Sequence, residues 1–456
     1  MIESLIILSI NLILYGRTIF YGLVVDDIRT YREHRKKCKS WSVPLSTIGS
    51  YLAGSGASYN KKIDHLITLS IHTITSIFIY FAFGGNTVSF FTAVIFSVHP
   101  VTHQVSCWLN GKRYGVSAIL CLLLMMFYPY MLGLYPLMLF FRASGLPVIF
   151  FILLKSPVIL LFFPLIGYLF RKDIIEITKI RMKDSSVELT KFKPQKIVLF
   201  FKTFGFYVRH CLFPRGVFMW YPFLYYYGLT KKDTDEAYSI NKDFWFGFGC
   251  FCTIVTLIVI NRQNEIGFGL LWFITFISIW CNLFTTTQTI ADRYCYIALM
   301  GFILAVTATL VSFNLLWIGL IYFGYLAAKT DYAMRQYQNI YLFHSYHINN
   351  APNNPMAFIF KAESFIAGQG IKEAHNVVDE GLLYNPNDFK LMCLKATCLT
   401  FDLKIKEARK ILAEAHNHLI PGKEKKQIDV INNILNKISE FEKIHRGVIK
   451  NADVQL

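Results

Sequence analysis

Residues 294–311 read YCYIALMGFILAVTATLV, an uninterrupted run without a single charged side chain. A helix needs about 20 mostly apolar residues to cross the hydrocarbon core of a bilayer. This run, entered through Asp292-Arg293, therefore reads as a transmembrane helix with a charged pair at its mouth. The whole chain agrees. Of 456 residues, 54% are hydrophobic and 16% charged, against about 25% charged in an ordinary soluble domain. Water-facing surface needs charge and lipid-facing surface excludes it, so the deficit marks an integral membrane protein.

Working outward, further spans are expected at Leu5 to Val25, His65 to Phe83, Val88 to Trp108, where His99-Pro100 makes the last turns irregular, and within Tyr114 to Phe141. Others are expected near 137–151, 153–170, 197–211, 243–260, 266–284 and 313–327, with a short aromatic segment at 216–229 read as interfacial. The total is about eleven. The first span has no basic leader and no small-residue cleavage site, so it reads as a span rather than a removed signal. The net charge of +17 fits basic loops lying against anionic headgroups, and nucleic-acid binding is not expected. The ten cysteines contain no paired CxxC, and neither a zinc site nor a disulfide framework is expected.

After Lys329 the hydrophobic runs shorten and an internal repeat appears. Ala362, Glu373-Ala374 and Pro352-Asn353 recur 34 residues later as Ala396, Glu407-Ala408 and Pro386-Asn387. That period belongs to helix–turn–helix units that bury a face by stacking. The small Ala positions fall where paired helices approach. Residues 333–350 read as a partial earlier unit and 426–445 as a capping helix. The expected fold class is all-α: a polytopic transmembrane domain over 1–328, then a short tetratricopeptide-like domain over 329–456.

Several polar groups stand at the ends of apolar segments, where charge is costly unless it faces water or a cavity. Asp26-Asp27 follows the first span. Two carboxylates there suit a general base toward a hydroxyl or a divalent cation, and equally suit plain interfacial charge. His99-Pro100-Val101-Thr102-His103 continues through Gln104 and Trp108 to Lys112-Arg113. The two histidines share a face if the segment stays helical. Lys112 and Arg113 suit a lipid-linked phosphate or ordinary interfacial anchoring. Asp292-Arg293 is either a structural pair or a second phosphate contact. His65 and His72 share a helix face and suit packing or support of a site.

These places coincide with a family. The stretches YGLVVDDIRTY at 21–31, DHLITLSIH at 64–72, FSVHPVTHQVSCWLNGKRY at 96–114, LLKSPVILLFFPL at 153–165 and ADRYCYIALMGF at 291–302, with the repeat tail, resemble the transmembrane and tetratricopeptide repeat-containing O-mannosyltransferases. Those are polytopic GT-C-type glycosyltransferases that use polyprenyl-phosphate sugars. The resemblance implies that the acidic pair lies in the first loop on the extracytoplasmic side, with one Asp as catalytic base. It implies the repeat domain on that same side, extracytoplasmic or lumenal, and a hydroxyl-bearing acceptor, with a protein expected as acceptor or as partner of the repeat domain. It conflicts with one charge signal. The basic runs at 29–39 and 171–196 would fall on opposite faces, against the positive-inside rule. The chain also departs from the family pattern. Gln104 stands where members usually carry Glu, and Gly111-Lys112-Arg113-Tyr114 replaces Gly-Arg-x-Asp. A non-catalytic membrane scaffold that presents the repeats to a partner is the alternative expectation.

Overall fold

The computed structural model describes residues 1–24, 27, 60–127, 195–219, 221, 238–283, 288–419 and 424–444. The expected spans at 137–151 and 153–170, the segment at 216–229 and the basic runs at 29–39 and 171–196 lie wholly or mostly outside them. Every regular element among the described residues is helical. The chain forms two compact units, one of residues 1–219 with 240–343 and one of 220–239 with 344–456.

In the first unit the α-helices are α1 (Ile2–Tyr15), α2 (Lys61–Ala82), α3 (Thr87–Val98), α4 (Lys112–Met126), α5 (Gln195–Leu212), α6 (Lys242–Ile260), α7 (Glu265–Ser278), α8 (Asp292–Ser312) and α9 (Leu316–Met334). Four stretches among the described residues are long and apolar enough to cross a membrane: α1 with the 3-10 turn after it (Ile2–Phe20), α2, α6 and α8. They support multi-pass membrane association. They are fewer than the spans expected within those residues.

The shortfall has local causes. The expected span 88–108 stops at Val98 because a residue before proline is pushed out of the helical region, and His99 is extended at φ −75°, ψ 125°. Beyond it lie a 3-10 turn at Pro100–Thr102 and a single α-turn at His103–Ser106. Helix α5 matches 197–211 but carries Lys196, Lys202 and Arg209. Helix α7 ends at Ser278 and is too short, and α9 starts and ends later than 313–327.

Helix α8 is buried along most of its length, whereas α6 exposes most of its apolar surface, as a lipid-facing helix should. Small residues permit the closest crossings. A Cβ on Gly269 of α7 would stand 2.5 Å from the Gly301 carbonyl oxygen of α8, and one on Gly247 of α6 would meet the Phe201 carbonyl of α5. The Trp272 indole N–H donates to the Ile297 carbonyl at 2.8 Å across the first of these crossings.

Helix α10 (Ile340–Asn350) carries the chain into the second unit. There α11 (Pro355–Ala367) and α12 (Ile371–Tyr384) are repeated by α13 (Phe389–Phe401) and α14 (Ile405–His416), and α15 (Glu424–Ile444) follows. The 34-residue offset holds in detail. Ala362, Ala374, Ala396 and Ala408 are all fully buried. Asn354 accepts from the Met356 N–H and Asp388 from the Leu391 N–H, which caps the first helix of each pair. Helix α15 seals the stack by adding Ile431 and Ile438 to the core of the second repeat.

Each helix-to-helix turn places one non-glycine residue in the left-handed region, Gln369 and Leu403, both at φ 63°. That conformation costs roughly 1–2 kcal/mol for an L-residue, of which glycine gives back roughly 0.5–1 as chain entropy. Gln369 is exposed, so Gln369→Gly is expected to stabilise the repeat unit by about 0.5–1 kcal/mol. A urea midpoint for this unit that falls in the variant would contradict this.

Candidate functional site

One end of the first unit gathers the C-terminal ends of α1, α3, α5 and α9 and the N-terminal ends of α2, α4 and α8. The ties are specific. The Tyr15 hydroxyl donates to the Ser97 carbonyl at 2.9 Å, and the Thr330 hydroxyl donates to the Val98 carbonyl at 2.6 Å. Arg17 pairs with Asp331 at 2.5 Å. Three helix N-termini at one place add partial positive charge and unsatisfied N–H groups, so acidic residues are stable there. Asp64 and Asp292 occupy the first turns of α2 and α8.

The sequence-nominated residues fall into three groups at this end. In the first, the Lys112 ammonium donates to Asp64 Oδ1 at 3.1 Å, with both side chains fully buried. Asp27 is also buried and acts electrostatically on Lys112. Asp26, the other half of the acidic pair, lies outside the described residues. His65 Nε2 donates to the Gly22 carbonyl at 3.4 Å. Arg113 turns elsewhere and donates to the Asn110 carbonyl at 3.3 Å.

The second group centres on Asp292. His210 Nε2 donates to its Oδ1 at 3.0 Å, and His103 Nδ1 lies 3.5 Å from Oδ2. His103 Nδ1 also reaches the Pro100 carbonyl at 2.7 Å. His99 takes another direction and donates through Nε2 to the Cys211 carbonyl at 3.0 Å. The expected shared helical face of His99 and His103 is thus corrected, because the break at His99-Pro100 sends the two rings apart. Burial pushes the His99 imidazole down to about 3 and holds His103 below the usual histidine range. In the unfolded chain both titrate near 6.5, so it binds more protons than the native state below that pH. Stability is therefore expected to be full above about pH 6.5 and to fall as the pH drops toward 3. A melting temperature at pH 5 equal to or above that at pH 7.5 would contradict the sign.

The third group surrounds Arg293. Its guanidinium donates to Gln104 Oε1 at 3.1 Å and to Gln288 Oε1 at 3.0 Å. Gln104 in turn donates to the Phe218 carbonyl at 2.8 Å. The Trp108 and Tyr294 rings lie 5.5 and 5.0 Å from the cation, and Trp280 stacks on Tyr294 at 4.3 Å. Arg293 is 7% exposed. Among the described residues no carboxylate pairs with it; the carboxylate beside it in sequence, Asp292, belongs to the histidine group.

The structure brings together residues that the sequence reading did not single out. Asp64 reads as an ordinary acidic residue in a first helical turn, and His210 as a polar residue inside an apolar helix. Only their partners reveal them. Three buried ring nitrogens here have no partner among the described residues: His65 Nδ1, His103 Nε2 and Trp108 Nε1. Leaving such a group unmade costs roughly 1–3 kcal/mol. Among the described residues, no three His, Cys, Asp or Glu side chains gather closely enough to hold a metal ion. The chain matches no protein-family model, no curated protein and no solved structure, so the resemblance to the O-mannosyltransferases rests on the quoted motifs alone.

Proposed function

We propose that the chain is an inverting membrane glycosyltransferase that moves a sugar from a polyprenyl-phosphate donor to a hydroxyl acceptor on the extracytoplasmic side. Asp27 takes the proton of the acceptor hydroxyl. The acceptor oxygen attacks the anomeric carbon, and the bond from that carbon to the phosphate oxygen breaks. The phosphate leaves with the electron pair and needs charge compensation rather than an acid.

Arg293 carries this reading. A buried guanidinium is stable only when an anion or a full set of acceptors meets it. Here neutral groups meet it, the amide oxygens of Gln104 and Gln288, the Met219 sulfur at 3.8 Å and the Tyr114 hydroxyl, beside two aromatic faces. Gln104 matters in this respect. A carboxylate at that position would neutralise Arg293, whereas the amide leaves its charge available to an incoming phosphate. Lys112 plays a different part from the one its sequence position suggests. Its charge is taken up by Asp64, so the pair fixes α4 against α2 and holds the wall beside Asp27.

The test uses the full chain in nanodiscs with a polyprenyl-phosphate mannose donor and a serine- and threonine-containing peptide, reading release of polyprenyl phosphate. Arg293→Gln is expected to slow release by about 10²–10³-fold, and Arg293→Lys, which keeps the charge, to retain part of it. Wild-type turnover in Arg293→Gln would contradict the role. If the wild type releases nothing, while a protein partner co-purifies through residues 344–416, the scaffold reading replaces this one.

A further inference from the structure

We infer that His103 is a substrate-binding residue whose Nε2 accepts a hydrogen bond from a hydroxyl of the sugar brought to this site. The identity of the ligand rests on the glycosyltransferase reading above. The geometry of the acceptor does not.

The Pro100 carbonyl oxygen can only accept, and it lies 2.7 Å from His103 Nδ1. The proton of the neutral ring is therefore on Nδ1, which leaves Nε2 as a bare acceptor. Asp292 Oδ2, 3.5 Å from the same Nδ1, favours the same tautomer. Asp292 is itself held by His210, and the His103 ring packs against Tyr337 with centroids 5.5 Å apart. The ring is thus fixed in orientation and in tautomer. Its Nε2 is fully buried and has no partner among the described residues. Such a nitrogen suits an uncharged hydrogen-bond donor, and burial, which keeps the imidazole neutral, favours a hydroxyl over an anion.

The same short stretch supplies the complementary functions. Trp108 Nε1 is a buried donor without a partner among the described residues, and its ring lies against Arg293. Gln104, next to His103, holds Arg293 directly. One acceptor, one donor and one cation from 103–108 and the residue it binds match a hydroxyl-rich group joined to a phosphate. A lipid phosphate without sugar would engage Arg293 and leave His103 Nε2 unchanged.

The first test is nitrogen NMR of the full chain in nanodiscs with 15N-labelled histidine, His103 being assigned by its loss in His103→Asn. One protonated and one unprotonated ring nitrogen are expected at pH 7.5. Polyprenyl-phosphate mannose is expected to shift the unprotonated resonance, and polyprenyl phosphate alone to leave it in place. A protonated Nε2, or a saturating mannose lipid that leaves the resonance unmoved, would overturn the inference and spare the glycosyltransferase reading. Failure of either lipid to bind would overturn both.

A pair of substitutions separates binding from structure. His103→Asn keeps a donor near the Pro100 carbonyl and removes the outer acceptor. His103→Gln reaches the outer position and gives up the inner bond. The expected result is a KM for the mannose donor raised about tenfold or more in His103→Asn, with its melting temperature unchanged, and a smaller KM change in His103→Gln. The reverse order, with a normal KM in His103→Asn and a lowered melting temperature in His103→Gln, would show a structural role only.

Discussion

Asp27→Asn is expected to lower sugar transfer by about 10²–10⁴-fold, the range a positioned general base supplies, with insertion and folding preserved. The substitution is close to isosteric, so packing around this buried side chain is kept. What disappears is the ability to take a proton from the acceptor hydroxyl. The effect belongs in kcat more than in KM, because the base acts in the transition state and not in ground-state binding. Lys112 provides the control. Asp27 acts on it electrostatically, yet its direct partner is Asp64 at 3.1 Å. Loss of the Asp27 charge therefore leaves Lys112 paired. An Asp27→Asn variant with wild-type kcat and normal folding would move the base elsewhere, and Asp26→Asn would then be the next variant to measure.

The second large effect concerns folding. Asp64→Ala and Lys112→Met each leave one fully buried charge without its direct partner. Breaking a buried pair from one side costs about 3–5 kcal/mol, enough to unfold a marginally stable domain. Replacing both with apolar groups, Asp64→Leu with Lys112→Met, removes the desolvation cost together with the attraction. That double variant is expected to recover most of the loss, as buried pairs exchanged for apolar groups commonly do. Melting temperatures of the two single variants and the double variant form a cycle that isolates the coupling. Additive losses would show that the two charges do not depend on each other. A double variant that folds well and keeps turnover would show further that Lys112 takes no part in holding the donor phosphate.

The fold and the site were legible in the sequence to different depths. Helix α8 followed from an uncharged apolar run, and α2 and α6 from similar runs. The two helical repeats followed from Ala362, Ala374, Ala396 and Ala408, because close helix approach demands a small side chain wherever the pattern recurs. The span count did not follow. The irregularity at His99-Pro100 was legible within 88–108, but hydropathy carried the span past it, whereas the backbone restriction before Pro100 ends the helix at Val98. The same break undid the expected i, i+4 relation of His99 and His103. The pairing of charges could not be read at all. Lys112 and Asp64 lie 48 residues apart, and His210 and Asp292 lie 82 apart. Nothing local distinguishes either carboxylate from a routine acidic residue at a helix start, where the dipole favours one anyway. Arg17, which interrupts the first apolar segment, is explained only by Asp331 at the far end of the bundle's chain path.

The proposed reaction requires that Arg293, a buried cation, be completed by an anionic lipid headgroup. The most direct measurement is native mass spectrometry of the full chain, released from nanodiscs that contain polyprenyl phosphate, for the wild type, Arg293→Gln and Asp27→Asn. The wild type and Asp27→Asn are expected to retain one lipid phosphate, and Arg293→Gln to lose it. Equal retention in all three, or none in the wild type, would contradict this role of Arg293.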